Sequence, residues 1–130
     1  MTDAHRLTYL RATLVILGIA SIALYPLMIF WPSGWSWHAG YSDYAMMIVG
    51  LYLTLGVFLL IAARNPLQHL SLIWFAAWSS LVHGAIMAVQ SLAHTEHIAH
   101  LWGDVPALFI GAIVLAVLTP RRRAAQPPAA

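Results

Sequence analysis

Apolar residues run through this chain in four long blocks, and the polar residues gather between them. The blocks are Ala12–Trp31, Tyr44–Ala63, Leu70–Ala93 and Val105–Thr119. About 20 apolar residues in helical form cross the ~30 Å hydrocarbon layer of a bilayer. The last block has only fifteen residues and would rise roughly 22 Å, so its helix is expected to take in Leu101 to Asp104. The pattern predicts an all-α fold: a four-helix transmembrane bundle of antiparallel hairpins. It forms one integral membrane domain over 1–130, with spans at about 12–31, 44–63, 70–93 and 101–119 and a disordered tail at about 121–130.

The connections fit that reading. Asn65-Pro66 resembles a helix cap followed by proline at the first helical position, which makes the second and third spans a tight hairpin. The segment PSGWSWHAGYSD (Pro32 to Asp43) holds turn formers and aromatics. Trp31, Trp35, Trp37, Tyr41, Tyr44 and Trp102 suit an interfacial aromatic belt. Asp43 and Asp104, each seven residues before a glycine, read as caps of the second and fourth spans. Ser21-Ile22-Ala23 would pass as a signal-peptidase site. The apolar run continues through Trp31 without a break, so an uncleaved first span is expected.

Composition narrows the class. The chain is 62% hydrophobic and 8% charged, against about 25% charged in soluble domains, so it has too little polar surface to cover a water-soluble globule. Its six basic residues are all arginine: Arg6, Arg11, Arg64 and Arg121 to Arg123. They flank apolar runs rather than forming a basic face with aromatic readers, which argues against a nucleic-acid partner. Their placement predicts both termini inside the cell, with the arginine-free loops outside. Cysteine is absent, so disulfides and thiolate chemistry are excluded.

Polar positions inside the spans carry the candidate chemistry. Ala76, Ser80, Gly84 and Ala88 recur every four residues, and Gly103, Ala107 and Gly111 repeat that spacing. Such stripes let helices approach closely in lipid. His69, Ala76, His83, Gln90 and His97 recur every seven residues, a spacing that drifts about 20° per step. His69, His83, Gln90 and His97 are therefore a candidate interior polar stripe, lining a cavity or punctuating a proton path, with His83 facing protein rather than lipid.

HTEHIAH (His94 to His100) reads as the polar outer continuation of the third helix. Its alternative is a zinc or copper site using His94, His97, His100 and Glu96, completed by His38, Asp43 or Asp104. No HExxH or Glu-x-x-His motif is present. A bis-histidine haem would need a second histidine deep in a span, and His83 stands alone there. No cofactor is expected.

The segments GLYLTLGVFLLIAARNP (Gly50 to Pro66), AWSSLVHGAIMAVQ (Ala77 to Gln90) and GDVPAL (Gly103 to Leu108) resemble an uncharacterised family of short four-span bacterial membrane proteins, a domain of unknown function. The resemblance covers roughly residues 20 to 120. It implies a bacterial cytoplasmic (inner) membrane protein and supplies no activity or catalytic residue.

The sequence thus favours a multi-pass, non-catalytic binding or accessory component whose partners are the lipid bilayer and a second copy or larger membrane complex. A metal- or proton-handling protein is the alternative, and a cofactor-binding redox subunit the third reading. Reporter fusions after Gln126 should behave as cytoplasmic and insertions near Gly40 or Glu96 as external. An external C-terminus would break the four-span orientation.

Overall fold

Thr2 opens the first helix, its side chain accepting a hydrogen bond from the backbone N–H of His5. The computed structural model describes residues 2–120, and all its regular elements are helical. The expected disorder of 121–130, and Arg121 to Arg123, lie outside the described residues.

The first apolar run is not one straight helix. Helix α1 spans Asp3–Ile22 and α2 spans Leu24–Phe30, bent 59° from it. Pro26 explains the break: it offers no N–H to the Ile22 carbonyl, and its ring crowds that oxygen. A single turn, α3 (Pro32–Trp35), follows. Helix α4 (Asp43–Arg64) is capped by Ser42, whose hydroxyl accepts from the Ala45 N–H at 3.4 Å. Asp43 is therefore a first-turn residue rather than the cap. Asp43 at the start and Arg64 at the end both complement the helix dipole.

Pro66 begins a 3₁₀ turn (Pro66–Gln68) instead of the next helix, and the Asn65 side chain makes no cap bond. Helix α5 then runs Leu70–Ala93. The expected helical continuation through HTEHIAH is corrected here. His94 is extended (φ −128°, ψ 110°), and Thr95–Trp102 forms a 3₁₀ segment that bends 42° into α6 (Asp104–Leu118). By length and composition α4 and α5 can each cross a membrane, and the count rises to four if each bent pair is one broken span.

Packing does not follow the shortest connection. Helix α1 lies against α4 and α5 against α6, whereas α4 and α5 touch only sparsely. Gly18 and Gly56 let the first pair meet backbone to backbone: a Cβ on Gly56 would stand 2.6 Å from the Gly18 carbonyl oxygen. In the second pair Gly84 receives side chains instead: a Cβ there would stand 3.2 Å from the Leu108 Cβ and 3.7 Å from the Phe109 ring. Leu10, Leu14, Leu59, Ile73 and Leu115 form the densest apolar core. Beside it, Arg6 donates to the backbone carbonyls of Val117, Leu118 and Thr119, each at 2.9 Å, where the end of α6 has no helical donors left.

The outer faces are apolar. On α5, Phe75, Trp78, Val82, Ile86 and Val89 are all more than half exposed, while the polar Ser80 and His83 are partly covered. This inverts the arrangement of a water-soluble bundle, where the outer face is polar.

Gly56→Ala should lower the thermal unfolding midpoint in detergent, at a cost of about 1–3 kcal/mol for overpacking. Gly50→Ala, where a Cβ meets nothing within 4 Å, should leave it unchanged or raise it. Equal midpoints for parent and Gly56→Ala would discount the α1–α4 backbone contact.

Candidate functional site

The sparse contact between α4 and α5 marks a chamber. Its volume is about 590 Å³, and α1, α2, α4, α5, α6 and the Trp35–Ser42 stretch all contribute walls. From α4 come Ala45, Ile48, Tyr52, Leu55 and Leu59; from α5 come Ala76, Ser80, His83, Met87 and Gln90. Both sets step by three and four residues, so each helix gives the chamber one face. The walls are largely apolar, and the polar groups are few. Tyr52 and His83 meet edge to face across it, ring centroids 6.0 Å apart at 85°.

Asp104 sits at the chamber's edge in the first turn of α6, and is only 7% exposed. Its Oδ2 accepts from Trp37 Nε1 at 2.9 Å and stands 3.0 Å from His100 Nδ1. A carboxylate can only accept, so in this arrangement Nδ1 carries the imidazole proton. The His100 ring is itself buried and stacks on Trp37, centroids 4.2 Å apart. Oδ1 of the same carboxylate is buried and has no hydrogen-bond partner among the described residues, and the same holds for Nε1 of Trp35. Both residues line the chamber.

Two glycines make this geometry accessible. Gly34 and Gly103 are both buried, and a Cβ on Gly103 would collide with the Gly34 carbonyl oxygen. Their direct contact brings the turn after α3 over the start of α6, which carries Trp37 to Asp104.

The predicted site residues separate. His83 and Gln90 line the chamber; His69 stands at the start of α5 outside it; His97 is not on α5 at all, because that helix ends at Ala93. The stripe therefore stops at Gln90. His97 instead lies against Trp37, centroids 4.7 Å apart.

The metal set is likewise not assembled. His94 and Glu96 are exposed and 4.0 Å apart, His38 is exposed, and His100 is committed to Asp104. Among the described residues no group of three or more His, Cys, Asp or Glu is placed to hold a metal ion. Of the packing stripe, Ala76, Gly84, Gly103 and Gly111 are buried, Ser80 and Ala88 are partly covered, and Ala107 is exposed. Ser80, Ala107 and Gly111 also border the chamber.

Asp104 was expected as a cap of the last helix and as a peripheral ligand. Its side chain instead makes tertiary bonds. The available signal was the His100–Asp104 spacing of four, which the neighbouring Glu96–His100 pair at the same spacing obscures. Trp35 and Trp37 likewise turn inward, while Tyr41, Tyr44 and Trp102 remain exposed.

A model described as a family of unknown function (DUF6632) matches residues 4–130, and the chain belongs to that family. No curated protein and no solved structure matches it.

Trp37→Phe should destabilise the fold by about 1–3 kcal/mol, the cost of depriving a buried acceptor of its donor. Trp102→Phe, at a side chain 81% exposed, serves as the control and should be near neutral. Equal unfolding midpoints for the two variants would show that the Trp37–Asp104 bond contributes nothing.

Proposed function

We propose that this member of the DUF6632 family is a non-catalytic, four-span protein of the bacterial cytoplasmic membrane that binds one small, largely apolar molecule in its central chamber. The chamber carries the reading. Ligand sites of about 300–1,000 Å³ with mainly apolar walls and a few placed polar groups are the usual form of small-molecule recognition, and about 590 Å³ bordered by Asp104, His83 and Tyr52 fits that form.

The inverted polarity of α5 supports the membrane setting. With the bent pairs α1–α2 and the 3₁₀ segment–α6 each counted as one crossing, the whole chain forms one integral domain of two antiparallel hairpins. The Arg6 bonds to the end of α6 support both termini lying on one side, and the arginine distribution favours the cytoplasm. Binding rather than turnover makes it an accessory component, acting as a homo-oligomer or within a larger membrane complex.

Met28 and Met87 line the chamber, whereas Met47 is exposed elsewhere on α4. The full chain in lipid nanodiscs, labelled with ¹³C on its methionine methyls, would be titrated with benzyltrimethylammonium and with its uncharged carbon isostere, neopentylbenzene. At least one probe should shift Met28 and Met87 saturably and leave Met47 unmoved. Ala107→Phe, which places a ring at the chamber wall, should abolish those shifts. No saturable shift with either probe would overturn the binding reading.

A further inference from the structure

We infer that the chamber selects an organic cation, an amine or quaternary ammonium compound carrying an apolar arm. The inference rests on the chamber being a binding site and adds the chemistry of its occupant.

The argument begins with an imbalance. Trp37 and His100 both engage Oδ2 of Asp104, while Oδ1 is buried without a partner. A buried carboxylate oxygen left unpaired is costly, and a positive charge held beside the residue offsets that cost through space. Among the described residues no arginine borders the chamber. The lining groups able to carry positive charge are His83 and His38, and His100 is already engaged from outside the lining. An anionic ligand would meet Asp104 with no fixed cation to offset the repulsion. A neutral apolar ligand would fit the walls and leave Oδ1 as it is.

The remaining walls fit a cation as well. Trp35 and Tyr52 contribute electron-rich rings from α3 and α4. Aromatic faces attract ammonium groups, and quaternary ammonium ions are held this way without any hydrogen bond. Carboxylate, aromatic faces and apolar remainder thus match the head and arm of one lipophilic cation.

The same methionine-detected titration tests this when the two probes are compared. They share shape and differ in charge. It is run at about pH 8, above the ordinary imidazole range. Benzyltrimethylammonium should bind at least about tenfold more tightly than neopentylbenzene. Asp104→Asn keeps an oxygen to accept from Trp37 and His100 but removes the charge. It should erase the preference while the neutral probe still saturates. Trp35→Leu, which removes a ring and leaves the carboxylate, should weaken the cation severalfold and the neutral probe little.

Equal affinities in the parent protein, or a preference that survives Asp104→Asn, would overturn the cation inference and leave the binding reading standing. If neither probe gives saturable shifts, both fail. Should Asp104→Asn not fold, the parent's ratio of affinities and the Trp35→Leu comparison decide the question without it.

Discussion

A single carboxylate oxygen joins three separate parts of the chain. Oδ2 of Asp104 gathers Trp37 from the loop after α3 and His100 from the 3₁₀ segment onto the first turn of α6. Each group is poorly suited to burial alone. Together they satisfy one another, and the stacking of Trp37 on His100 closes the cluster. The position of the loop, the bend before α6 and the chamber's polar edge all depend on this point. It is reachable because Gly103 carries no side chain where the Gly34 backbone lies.

Below that cluster the helices solve a different problem. Where hydrocarbon surrounds the helices, burying leucine gains little, and close backbone contact supplies the attraction. Gly18 against Gly56 provides it for α1 and α4, while Gly84 lets the Leu108 and Phe109 side chains of α6 lie close on α5. The seam between α4 and α5 receives no such contact, and the chamber opens there. Tight pairs and a loose seam are complementary parts of one arrangement.

The elements legible from sequence were those set by long-range composition. The uninterrupted apolar runs 44–63 and 70–93 fall on α4 and α5 because nothing inside them competes with helix. The misread positions were set by single residues or tertiary contacts. Pro26 breaks the first run, though its apolar neighbours mask it. The end of α5 at Ala93 has no glycine or proline to announce it, so a seven-residue periodicity continued on paper into His97. The histidines after it read as a wet helix end or a metal set. One of them, His100, is instead among the most buried side chains, and its partner four residues later is what makes that burial tolerable. The Gly18–Gly56 contact joins residues distant in sequence and has no local signature.

The Arg6 clamp also bears on the order of assembly. A ribosome releases Arg6 before more than a hundred further residues, and only then do its three carbonyl acceptors exist. Until that moment the guanidinium near the start of α1 lacks these three partners. Joining residues 111 to 113 positions apart is entropically slow from an unfolded coil. It is fast if the intervening helices have already been threaded and need only draw together. The clamp is therefore a late step in biogenesis, one that registers the arrival of the last helix.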